Sequence, residues 1–191
     1  MKIAIAILLC FPILSCKKEY KETVFTLPQK TQSGLHTFGF LLNAEVWVNY
    51  GQVCTFYGCT DNLKGRYYPS DGDISISADK VLYERGVRDI HEGFGFSLST
   101  NFRGIGTYST ATNDTLEVAY SYSNVGQPEI YYRLSRLNPE FVVRITKIDQ
   151  LNKILSGEFS GKLFKRDLFA NTISTTDSIM INEGRFDIKI K

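Results

Sequence analysis

The chain has 191 residues, 22 basic and 20 acidic, for a formal net charge of +2. Its charges are mixed in sign along the chain, which excludes the basic footprint of a nucleic-acid binder and a polybasic face for anionic lipid. Aromatic residues reach 13%, mostly Phe and Tyr, a bias that favours strands over helices.

Lys2 is followed by an uncharged run from Ile3 to Leu14. The run has the length of a signal-peptide core and falls short of the ~20 apolar residues that span a bilayer. Residues 1–15 are therefore read as an export signal. The ending Ile13-Leu14-Ser15-Cys16 resembles the lipobox of bacterial lipoproteins. That resemblance implies that Cys16 is lipidated on sulfur and becomes the first residue; ordinary secretory cleavage after Ser15 is the alternative. Several acyl chains give stable attachment to a membrane. Lys17 stands where an inner-membrane retention signal has aspartate, so the resemblance implies the outer membrane. Lys17-Lys18-Glu19 only loosely resembles the acidic export tag of surface lipoproteins in Bacteroidota, and the periplasmic and surface-facing sides both stay open.

Residues 16–34 are polar, include Pro28, and read as a lipidated cysteine on a flexible tether; an ordered strand at Thr23–Leu27 is the alternative. The all-β domain is expected over residues 35–191. Phe38, Phe40 and Leu42 alternate, Asn43-Ala44 turns, and Val46 and Val48 continue, which reads as a hairpin. Ile74, Ile76 and Ala78 alternate with polar residues, as do Phe94, Phe96 and Leu98, and Leu116, Val118, Tyr120 and Tyr122. Later candidate strands are 129–134, 141–148, 154–164 and 179–190. Turn chemistry separates them at Ser70-Asp71-Gly72, Asn113-Asp114, Gly126-Gln127-Pro128, Asn138-Pro139 and Asn182-Glu183-Gly184. No sustained 3.6-residue period is present. The expectation is a single antiparallel β-sandwich or barrel-like domain.

Cys10 falls in the signal and Cys16 is the lipid site, which leaves Cys54 and Cys59 in "CTFYGC". A hairpin loop would place them side by side, and an oxidising envelope permits a disulfide; free thiols are the alternative. No second pair of ligands stands nearby for zinc.

The stretches "TFGFLLNAEVWV" (37–48), "ITKIDQLNKILSGEFSGKLF" (145–164) and "INEGRFDIKI" (181–190) resemble motifs of an uncharacterised family of Bacteroidota lipoproteins, a domain of unknown function. The resemblance implies a lipid-anchored, all-β envelope protein and carries no catalytic residues to transfer. Ala44 departs from it, where a glycine would suit the turn.

No catalytic set stands out. His36 and His91 are the only histidines, and the Gly-x-Ser-x-Gly elbow is absent. His91 reads as a solvent-facing loop residue. Asp71 and Asp73 resemble turn chemistry more than a calcium loop, so neither metal nor cofactor is assigned. Trp47, Tyr67 and Tyr131 are candidate ligand-stacking rings, with core packing as the competing role. Asp114-Thr115-Leu116 and Asp177-Ser178-Ile179 resemble the O-glycosylation acceptor pattern of Bacteroidota, which makes Thr115 and Ser178 candidate modification sites. The sequence thus favours a lipid-anchored, non-enzymatic binding or structural module, its partner a glycan, a protein or an apolar small molecule. The alternatives are a carboxylate-based hydrolase such as a glycosidase and a lipocalin-like carrier.

Overall fold

The computed structural model describes residues 23–84, 87–99, 102–112, 115–135 and 140–190. The signal run, Cys16 and the turns expected at Asn113-Asp114 and Asn138-Pro139 lie outside them. The described chain forms β1 (Thr37–Leu42), β2 (Glu45–Val48), β3 (Val53–Thr55), β4 (Gly58–Thr60), β5 (Leu63–Tyr68), β6 (Asp73–Glu84) and β7 (Val87–Leu98). It continues with β8 (Gly106–Ser109), β9 (Leu116–Asn124), β10 (Ile130–Arg133), β11 (Phe141–Asp149), β12 (Ile154–Asp167) and β13 (Thr172–Lys189). No helix of the described chain is long and apolar enough to cross a membrane.

The fold is all-β. Eleven strands make one antiparallel sheet in the order β2-β1-β13-β12-β10-β9-β7-β6-β5, with β11 and β8 branching from β12. The branch exists because β12 is long: its first half pairs with β11 and its last residues with β10. Its partner β13 is longer still, and the two form the hinge about which the sheet curls into a half-barrel. β3 and β4 stand apart as a small hairpin.

Period-2 alternation decides the inner face. Ile74, Ile76 and Ala78 of β6, Phe94 and Phe96 of β7, and Leu116, Val118 and Tyr120 of β9 are all buried. They meet Phe38 and Phe40 of β1, Phe141 of β11, Phe159 of β12 and Phe186 of β13 across the fold. Phe94 stacks on Phe159 at 5.1 Å and Phe40 on Trp47 at 4.7 Å. These rings fill the interior at the close packing usual for proteins, in the space where a lipocalin-like carrier would hold its ligand. The sheet closes tightly where small residues allow it. A Cβ at Gly65 of β5 would collide with Ile188 of β13, and one at Gly184 would sit 2.5 Å from the Phe159 ring.

Three expectations need correction. Val46 and Val48 do not continue the inner face; Trp47 does, with 1% of its surface exposed. The loop between β1 and β2 has two residues, so Leu42 faces Glu45 and Phe40 faces Trp47. Cross-strand partners share a face, which sends Trp47 inward with Phe40. His91 lies on β7, not in a loop. The segment read as tether is, from Thr23 on, an ordered strap without strand character. It crosses β13 and β1, fixed by Lys30 to Glu158 at 2.9 Å and by Thr31 to Asp187 at 2.6 Å.

Candidate functional site

The stacking candidates separate once folded. Trp47 is core, and its Nε1–H donates to Glu92 at 2.8 Å. Tyr67 faces inward and packs edge-on against Phe102 at 5.5 Å. Neither ring can lie flat on an external ligand, and both readings are withdrawn. Tyr131 alone projects from the outer face, while its neighbour Tyr132 turns inward to Tyr120 at 6.1 Å. The Tyr131 hydroxyl donates to Glu129, which fixes the ring's tilt. That hydrogen bond, with some burial, raises the phenol's pKa.

Register builds a surface around Tyr131. Asp79 of β6 faces Gly93 of β7, Gly93 faces Ser121 of β9, Ser121 faces Tyr131 of β10, and Tyr131 faces Arg166 of β12. This row crosses five strands at ~4.8 Å spacing, about 19 Å in all. Gly93 adds no side chain to it, and its neighbours close in over the backbone: an added Cβ would meet the Ser121 hydroxyl at 3.1 Å and Asp79 at 3.5 Å. In the adjacent row His91 faces Ser123, and the His91 Nε2 lies 3.0 Å from Asp79 Oδ1. Besides Arg166, the five side chains named in the two rows, Asp79, Ser121, Tyr131, His91 and Ser123, are polar or, at Tyr131, an aromatic ring with a polar tip; Val81, opposite His91, is buried. The sequence did not single out Asp79, Ser121 or Ser123. Alternation alone puts each on the outer face, but only the β6-β7-β9-β10 order brings them together.

His91 and Asp79 make the base-orienting half of a triad. The nucleophile link is missing, because Ser123 Oγ donates to the backbone carbonyl of His91 at 3.4 Å and not to its ring. Among the described residues no three His, Cys, Asp or Glu side chains gather as a metal site requires.

A buried polar cluster lies beneath, at the inner side of the same strands. Glu92 accepts from Trp47 Nε1 and, at 2.6 Å, from the Tyr120 hydroxyl, and it pairs with Lys80 at 3.1 Å. Burial and the adjacent carboxylate push the Tyr120 phenol far up. Every buried side-chain nitrogen and oxygen described has a hydrogen-bond partner.

Two further predicted sites sit apart. Cys54 and Cys59 are joined across β3 and β4 as a disulfide, as the hairpin reading expected. Ser178 lies on β13 opposite Phe164, half-buried next to the Asp177–Lys165 ion pair at 3.2 Å. Thr115 is half-buried just before β9. Lys165, Arg166, Asp167, Thr172 and Asp177 line a shallow groove of about 340 Å³ at this end of the β12–β13 hairpin.

Comparison with protein-family models finds no match, and neither curated proteins nor solved structures supply one.

Proposed function

We propose that this chain is a lipid-anchored protein of the outer membrane that binds a glycan without transforming it, on the outer face of β6, β7, β9 and β10. The cross-strand row from Asp79 to Arg166 carries this reading. A sugar presents a flat apolar face to an aromatic ring and hydroxyls to carboxylate, imidazole and serine groups. Tyr131 supplies the ring; Asp79, His91, Ser121 and Ser123 supply the polar partners. The row's length matches a short oligosaccharide. Export and anchoring rest on the run 3–14 and on the lipobox resemblance at Cys16, while the likeness to uncharacterised Bacteroidota lipoproteins rests on the stretches 37–48, 145–164 and 181–190. The Cys54–Cys59 disulfide accords with an oxidising envelope.

Two measurements test the two halves. Cys16→Ser in the full chain, followed by cell fractionation, is expected to release the protein from the membrane; retention equal to wild type removes the anchor. Titration of the purified full chain with envelope glycans is expected to give saturable binding that Tyr131→Ala weakens by about tenfold, one stacked ring's worth. Binding by no glycan, or binding indifferent to Tyr131→Ala, removes the glycan reading.

A further inference from the structure

The stapled hairpin has a tip that the proposed function does not use. Phe56 and Tyr57, between the two cysteines, expose 99% and 96% of their surface. The hairpin stands on a fixed base: the Tyr83 hydroxyl donates to Gln52 O at 2.7 Å, and Asn62 Nδ2 donates to Gly51 O at 2.7 Å. A second tip behaves alike. The turn after β12 is shaped by Asp167, whose carboxylate accepts from the amides of Phe169 and Ala170, and it presents Phe169 fully exposed beside Leu168.

Followed along β12, β10, β9, β7 and β6, the register sets the hairpin base on the side of the sheet from which the β12–β13 turn extends. Arg166 pairs with Tyr131 at the start of β10; β9 ends at Asn124 opposite Ile90; β6 ends at Glu84 opposite Val87, next to Tyr83 and the hairpin base. The opposite end holds the turn at Leu151, beside the Ile154–Lys189 pair. From Arg166 back to Ile154 along β12 is about 40 Å.

The strap shows which end the N-terminus approaches. Read backwards from Leu35, its contacts move from Asp187 to Gly39, which abuts Pro28, and then to Phe25. Phe25 packs on Tyr50 at 5.1 Å and under the Lys80 ammonium at 5.5 Å, close to the hairpin base. Phe25 is nine residues from Cys16, a reach of at most about 30 Å. Acyl chains on Cys16 would hold the tip-bearing end against the membrane and leave Leu151 pointing away.

We infer that Phe56–Tyr57 and Leu168–Phe169 are bilayer contacts that orient the domain on its own membrane. The inference rests on anchoring at Cys16. Aromatic rings are at home at the membrane–water boundary, where an apolar body meets lipid and a phenol meets headgroups. Rigid tips insert without the entropy loss that loose loops would suffer. Lys165 and Arg166, four and three residues before Phe169 on the same chain, are held by Asp177 and Asn171 behind the tip.

The test uses the full chain purified from membranes and returned to vesicles of phosphatidylethanolamine and phosphatidylglycerol with brominated acyl chains. Phe56→Trp, Phe169→Trp and Leu151→Trp are compared, with buried Trp47 as a constant background. Each site is so exposed that the fold tolerates the change. Quenching and a shift to shorter wavelength are expected at positions 56 and 169 and absent at 151. Equal quenching at all three positions, or none at either tip, overturns the inference. Mass measurement of the N-terminal peptide separates the two ideas: tips quenched on unacylated, vesicle-bound protein uphold the contact and sink the anchor. Phe56→Ser with Phe169→Ser, in a chain carrying Cys16→Ser, is expected to cut vesicle partitioning by about tenfold or more. Leu151→Ser leaves it unchanged.

Discussion

Ala44 occupies the second position of a two-residue hairpin turn at φ +73°, after Asn43 at +48°. Both values belong to the turn type that joins tightly twisted antiparallel strands. Asn tolerates the left-handed region; the Cβ of alanine meets the following carbonyl there, at a cost of ~1–2 kcal/mol. The cost persists because the turn sets the Phe40–Trp47 pair, and a one-residue slip would turn Trp47 out to solvent. Ala44→Gly is expected to raise stability by about 1 kcal/mol in urea unfolding, with no change in the cooperativity of the transition.

The strap and the stapled hairpin are elements without a place in the main sheet, and each is secured by chemistry other than sheet pairing. Asp187 alternates outward on β13, yet the strap buries it. Burial opposes its ionisation, but hydrogen bonds from Thr31, Ser156 and the amides of Gly34 and Leu35 outweigh that and hold its pKa at about 2. Ser33 N adds a further donor at 3.0 Å. A carboxyl depressed on folding stabilises fully above its unfolded pKa and loses that contribution as pH falls through the folded value. The share that the strap and Ser156 hold together, about 2 kcal/mol, should therefore be present above about pH 4 and vanish towards about pH 2. Asp187→Asn should remove this acid-labile share and speed hydrogen exchange at the amides of residues 33–35. An unchanged exchange rate there would mean that the strap is held by something else.

At the scale of the whole molecule, the half-barrel is an apolar shell closed over one ionic cluster. Glu92 holds Trp47, Tyr120 and Lys80 at once, so β2, β6, β7 and β9 converge on a single carboxylate. Removing one partner of a buried pair strands the other. Glu92→Leu is expected to cost about 3 kcal/mol, read by urea unfolding on Trp47 fluorescence. Adding Lys80→Met should recover part of that loss, because no charge then remains unpaired; a double variant worse than the single would contradict the ion-pair account. The same strands carry the proposed glycan row on their outer side.

The alternating runs from Ile74, Phe94, Leu116 and Phe186, the hairpin at Asn43-Ala44 and the pairing of Cys54 with Cys59 were all legible in the amino-acid order. Each depends on neighbours a few residues apart, and the two-residue period and the short loop act locally. The run itself reads Val46 and Val48 onto the inner face, although the length of the turn before them already assigned that face to Trp47, whose core-packing alternative holds. The surface from Asp79 through Ser121 to Arg166, the strap over Asp187 and the shared side of the two aromatic tips were decided by the tertiary structure alone. Alternation tells a residue which way to point, but not which strand lies beside it; that follows from burying a complete inner face, a property of the assembled sheet and of no single segment.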